Sequence, residues 1–242
     1  MITFLARAFL APLARLLFRP TIIGKQNVPR SGAVLIASNH LSFIDSVVIT
    51  LVAPRSVSFL AKSEYFTGTG LKGLVSRLFF TGIGAVPVER SAGQAAQAAL
   101  DSGLAILERG EAFAIYPEGT RSRDGRLYRG RTGVAWLALT SGAPVIPVAL
   151  TGTQNIQPPG SSRIHLARVT VEFGASVPVV GVAASGRDRR NVTDDIMEAI
   201  QRMSGQEFAD EYNEPPPATA AERARRAVRS QVRRWFRRDG RH

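Results

Sequence analysis

Beyond Pro20 the chain alternates short, nearly unbroken apolar runs with longer stretches in which apolar residues recur every three or four positions. The runs 33–37, 57–61, 84–88, 112–116, 145–150 and 168–173 have the length of buried strands. Segments 42–53, 71–80, 92–109 and 132–141 carry the helical period, and several close on Gly or Pro, as helix ends do. This alternation predicts an α/β fold, a single domain with a central, mostly parallel sheet covered by helices. Residues 188–211 predict one further, more polar helix, and no internal repeat is visible.

The two ends follow another pattern. In 1–20, Thr3, Arg7, Ala11, Arg15 and Arg19 form one drifting polar stripe, while Ile2, Phe4, Leu5, Phe9, Leu10, Leu13, Leu16 and Leu17 cover the rest of a helix. Such a segment reads as an amphipathic helix lying in a membrane interface; the alternative is a helix packed on the domain with its arginines in water. The interrupting arginines and the lack of a small-residue cleavage site fit neither a membrane span nor a signal peptide. After the body, 21–214, the run Pro215, Pro216 and Pro217 makes a stiff linker. In the tail that completes 215–242, Ala224, Val228, Val232, Trp235 and Phe236 recur at helical spacing among eight arginines. Two readings fit that tail, a basic amphipathic helix on anionic lipid and an arm binding nucleic acid without sequence preference.

Composition sharpens this picture. With 45% hydrophobic and 21% charged residues the chain is globular rather than disordered. Its net charge of +12 sits at the ends: 1–30 hold five basic and no acidic residues, 218–242 hold nine and two, and the body between them holds seventeen of each. Basic appendages on a neutral body argue for contact with an anionic surface and against a globally basic nucleic-acid binder. The absence of cysteine excludes disulfides, thiolate metal sites and a Cys nucleophile. Three histidines, His40, His165 and His242, without HExxH spacing, leave no metal site expected.

Candidate chemistry falls at strand ends. The run Ala33 to Ser38 leads into Asn39 and His40, and ligands of an open α/β sheet bind outside the carboxyl ends of its strands. Imidazole can act as a general base near neutral pH if a partner fixes its tautomer. Asp45 can be that partner if Ser42 caps the following helix, so that His40 lies before it and Asp45 in its first turn. Equally, Ser42 to Asp45 can be a capping box with no catalytic sense. Ile115 to Ser122 ends a second run, with Gly119 for a tight turn, Thr120 as a cap or ligand and Arg121 presented to the same crevice, an arrangement that suits a phosphate. A third strand end offers Arg90. Gly68 to Gly73 matches GxGxxG but follows no strand, and neither a GxSxG elbow nor a Walker lysine is present.

Taken together, four segments resemble the glycerolipid acyltransferase family, whose best-known members are the 1-acylglycerol-3-phosphate acyltransferases. Asn39-His-Leu-Ser-Phe-Ile-Asp45 is similar to its NHxxxxD block, Gly84-Ala-Val-Pro-Val-Glu-Arg90 to its GxxxVxR-type block, Tyr116-Pro-Glu-Gly-Thr-Arg-Ser122 to its FPEGTRS block and Val145-Ile-Pro-Val148 to its VPV-type block. Order and spacing agree from about Gly24 to Leu150, with Tyr116 in place of the usual Phe and Pro87 inside the second block.

The resemblance implies that His40 is the general base for a lipid hydroxyl attacking an acyl thioester and that Asp45 orients it. It implies that Arg90 and Arg121 hold the acceptor's phosphate, that Glu118, Gly119 and Thr120 belong to that substrate pocket and that Pro147 lines the acyl side. No cofactor is implied beyond the thioester co-substrate, acyl-CoA or acyl carrier protein. The implied partners are a lysophospholipid, the thioester and an anionic membrane surface, with no specific nucleic acid, and the implied place is the periphery of the cytoplasmic face of the cell membrane.

Overall fold

The computed structural model describes residues 18–88, 95–161, 163–179 and 185–214, together with Pro12 and Leu16. The expected terminal helices of 1–20 and 215–242 thus lie almost wholly outside the described residues, as does Arg90. Seven strands form one sheet: β1 (Thr21–Ile23), β2 (Val34–Ser38), β3 (Ser58–Lys62), β4 (Ala85–Val88), β5 (Ala112–Ile115), β7 (Val145–Thr151) and β8 (Thr170–Phe173), in the order β1-β8-β7-β2-β5-β3-β4. The block from β7 to β4 is parallel, and β8 runs antiparallel to β7. All five residues of β2 and six of seven in β7 are buried, as expected of strands covered on both faces.

Period-two alternation sends the two halves of each strand into different layers. Val34, Ile36, Ile146 and Val148 point to one face, packed by α1 (Asp45–Val52), by α2 (Glu64–Thr67) and by α3 (Gly70–Gly82). Leu35, Ala37 and Val145 point to the other, packed by α4 (Ala95–Glu108), α5 (Gly133–Ser141) and α7 (Gly186–Ser204). The one-turn helix α6 (Thr153–Ile156) follows β7.

Several boundaries differ from expectation for identifiable reasons. The last helix stops at Ser204 rather than 211 because Gly205 takes the left-handed conformation (φ +65°) and caps it. Phe208–Ala209 then forms β9, paired with β6 (Leu127–Tyr128) in a two-stranded ribbon that the sequence pattern does not announce. The helix expected from Ser42 starts at Asp45, with Ile44 as its N-cap. Gly68 to Gly73 covers the short connection after α2 and the first turn of α3, away from any strand-to-helix turn.

Candidate active site

Because β2 and β5 are neighbours and parallel, the residues that leave their carboxyl ends meet. Asn39, the first residue beyond β2, is wholly buried and continues the ladder with its side chain: its Nδ2 donates to the Leu150 carbonyl (2.9 Å) and its Oδ1 accepts from the Leu150 N–H (2.8 Å). A third bond, from Nδ2 to Gln206 Oε1 (2.7 Å), ties the chain after α7 to the same point. The next residue, His40, is thereby held at the carboxyl end of the central strand with little freedom.

Its backbone is gripped from both sides. The His40 N–H donates to Glu118 Oε1 (3.1 Å) and its carbonyl accepts from the Ser122 N–H (2.8 Å). Glu118 Oε2 accepts from the Tyr128 N–H (3.0 Å), so both oxygens of this wholly buried carboxyl hold main chain. Burial, the largest influence, pushes Glu118 up from 4.5 to about 7, against the opposing pull of those two amides; the nearby Asp45 and Asp124 charges push it further up. Glu118 therefore joins the His40 backbone to that of Tyr128 with its two carboxyl oxygens.

The His40 ring is held as firmly. Its Nδ1 lies 2.7 Å from Asp45 Oδ2, with the imidazole 17% exposed and the carboxylate fully buried. The same Oδ2 accepts from the Leu41 and Ser42 N–H groups (2.7 and 2.8 Å). A carboxylate only accepts, so Nδ1 carries the proton and the lone pair of neutral His40 sits on Nε2. One face of the ring stacks on Tyr116, centroids 3.9 Å apart and planes 11° off parallel. The Tyr116 hydroxyl pairs with Ser46 Oγ (2.7 Å), and burial, reinforced by the Asp45 charge, raises the phenol well above its usual value, so it stays neutral.

The capping-box alternative is half made. Asp45 reaches back to the Ser42 N–H, but Ser42 Oγ donates to the Gln157 carbonyl (2.8 Å) instead of capping the helix, so the expected N-cap role of Ser42 is corrected. Asp45 is instead the first residue of α1, where the helix dipole favours a negative charge.

The remaining expected residues divide. Gly119 has φ +77°, a backbone conformation that favours glycine, and a Cβ there would displace the flexible Arg131 side chain, whose Nε lies 2.9 Å from that position. Thr120 is half-buried, its carbonyl accepting from Asn213 Nδ2 (3.3 Å), and Arg121 is exposed with no ion-pair partner among the described residues. Pro147 lies within β7. Alternation along β7 turns it to the face of Val145 and α7, where it lines a 480 Å³ groove with Gly174 and Met203, on the opposite side of the sheet from Tyr116 and the His40 ring. Sequence reasoning passed over Tyr116 as a stacking partner and Asn39 and Ser122 as clamps. Their readable signal was position, since each flanks a motif residue.

Fold and motif together define an α/β acyltransferase domain of the NHxxxxD type. The Acyltransferase family profile matches residues 19–151, more than half of the chain, and the chain belongs to that family. Among relatives, it is 32% identical over 148 residues to the chloroplastic 1-acyl-sn-glycerol-3-phosphate acyltransferase BAT2 of Brassica napus, covering 61% of this chain and 41% of that one. The 1-acyl-sn-glycerol-3-phosphate acyltransferase of Borreliella burgdorferi is 27% identical over 134 residues, 55% of this chain and 52% of that one. The chain thus spans two fifths to about half the length of these curated relatives. The crystal structure of the 1-acyl-sn-glycerophosphate acyltransferase PlsC of Thermotoga maritima superposes with a TM-score of 0.62 at 22% identity, over 82% of this chain and 81% of that one, and shares the fold.

Proposed function

We propose that this protein moves a fatty acyl group from an acyl thioester to the free hydroxyl of 1-acylglycerol-3-phosphate, forming phosphatidate. The observation that carries this reading is the His40–Asp45 pair, which leaves Nε2 as the basic atom of a ring that is fixed on its other sides. In the proposed reaction Nε2 takes the proton of the acceptor hydroxyl as its oxygen attacks the thioester carbonyl. When the tetrahedral adduct collapses, the C–S bond breaks and the departing sulfur takes the proton back from the imidazolium, while Asp45 balances the transient charge. Proton transfer of this kind is worth on the order of 10²- to 10⁴-fold, and the remainder of the acceleration comes from positioning.

Arg121, exposed beside Gly119 and Thr120 on the loop that clamps His40, is proposed to hold the acceptor's phosphate, together with Arg90. Glu118 supports that loop. The names of the relatives favour lysophosphatidate over glycerol 3-phosphate, other lysophospholipids or a lyso-aminolipid as acceptor. The donor is acyl-CoA or acyl carrier protein. No described helix is long and apolar enough to cross a membrane; the basic segments 1–20 and 215–242 flanking the 21–214 domain are proposed to hold it peripherally on the cytoplasmic face of the cell membrane.

Radiolabelled acyl transfer across a panel of lysolipids tests the reading. Lysophosphatidate should be the best acceptor, and Arg121→Ala should raise KM for it roughly tenfold or more while leaving KM for the thioester unchanged. Preference for an acceptor without phosphate, or equal effects on both substrates, would contradict the assignment.

A further inference from the structure

Helix α3 shows solvent the wrong face for a soluble helix. Leu71, Leu74, Val75, Leu78 and Phe79 recur at i, i+3, i+4, i+7 and i+8 and are all exposed, Leu71 by 77% and Val75 by 58%. Spacing of this kind gathers them into a single stripe. The inward side is settled by other residues: Gly73 and Phe80 are buried, and Ser76 Oγ donates to the Tyr65 carbonyl (2.7 Å). Scattered apolar side chains are normal on a protein surface, but a contiguous stripe marks a contact.

Two features say with what. Lys72 and Arg77, both exposed, flank the stripe on its two sides, and Gly70–Gly82 holds no Asp or Glu, which is the charge pattern of a helix set into anionic headgroups. The apolar surface also runs on towards the candidate site. Phe79 meets Phe80 edge-on at 5.3 Å, Phe80 stacks on Tyr65 at 4.3 Å, and both contact Phe43 at 6.1 Å, itself exposed and three residues from His40.

We infer that α3 is the surface by which this domain docks on an anionic bilayer, with the Leu71 to Phe79 stripe sunk among the acyl chains and Phe43 bridging the bilayer to the His40 opening. The inference rests on the proposed reading of the acceptor as a bilayer lipid, which would then reach the imidazole without leaving the apolar phase.

The chain contains no cysteine, so a single one can report its surroundings. The full-length variants Leu74→Cys and, on the opposite face of the sheet, Glu198→Cys are labelled with an environment-sensitive fluorophore and mixed with phosphatidylcholine vesicles containing phosphatidylglycerol and a lipid-borne quencher. The label at 74 should shift to the blue and be quenched, and that at 198 should do neither. The unlabelled double variant Leu74→Ser, Leu78→Ser should lose about tenfold or more in vesicle partitioning and in transfer to vesicle-borne lysophosphatidate, while keeping the wild-type rate on a short-chain, water-dispersed lysophosphatidate. A label at 74 that stays in water on bound vesicles overturns the inference. A label already shielded without lipid also overturns it, because then residues 1–17 or a second copy of the chain covers the stripe. Insertion at 74 by a protein that acylates no lysolipid would leave the docking surface standing and sink the proposed function instead.

Discussion

A single oxygen, Asp45 Oδ2, receives the His40 ring and two backbone N–H groups, whereas Oδ1 is buried without a hydrogen-bond partner among the described residues. The carboxylate thus serves both the imidazole and the turn before α1. Asp45→Asn separates the two services. The amide oxygen has to take the place of Oδ2, because an amide nitrogen there would face the Leu41 and Ser42 N–H groups; His40 keeps its tautomer but loses the charge that stabilises its imidazolium, so kcat should fall about 10²-fold or more while ¹⁵N shifts of neutral His40 still report the proton on Nδ1. An unaltered rate would make Asp45 a structural cap. The pairing was open in the sequence because five residues along a helix do not bring two side chains together. It closes because His40 lies before the helix and Asp45 is its first residue.

On the scale of elements, the site depends on β2 and β5 lying side by side. The loop after β5 supplies Tyr116 to the ring, Glu118 to the His40 N–H and Ser122 to its carbonyl. Glu118 adds a pH dependence. Its folded carboxyl binds the proton more tightly than the 4.5 of an unburied one, so its stabilising contribution is complete below about pH 4.5 and is lost as pH rises through about 7. On the order of 3 kcal/mol of unfolding free energy should go with it. Urea unfolding of Glu118→Gln should lack that part of the decline between about pH 4.5 and pH 8, and an unaltered profile would assign the decline elsewhere. Six strands of the sheet were legible as apolar runs, whereas β1 (Thr21–Ile23), only three residues long, was not. Glu118 was legible as a motif residue but not as a buried one, since burial depends on which strands become neighbours. The two-residue strands β6 and β9 were not legible, being too short to show any period.

For the whole molecule, the uneven charge is the feature that sequence alone carries furthest. A body with seventeen residues of each sign does not hold a membrane electrostatically, whereas nine arginines in 218–242 can, at roughly 1 kcal/mol each near an anionic surface. Deleting 218–242 should therefore weaken binding to phosphatidylglycerol vesicles, with the difference from the full chain shrinking as salt rises. If the truncated protein binds vesicles as before and loses only affinity for nucleic acid, the tail serves another polyanion. Membership of a block in sequence says nothing of the face of the sheet on which Pro147 lies, which the alternation along β7 decides.

All of this converges on the imidazole of His40. Acyl transfer to 1-acylglycerol-3-phosphate by His40→Ala, with circular dichroism and vesicle binding matched to the unaltered protein, probes it most directly. Phosphatidate formation should drop by about 10²-fold or more, with fold and membrane binding retained; a variant that keeps the original rate would remove His40 from the chemistry and contradict the proposed mechanism.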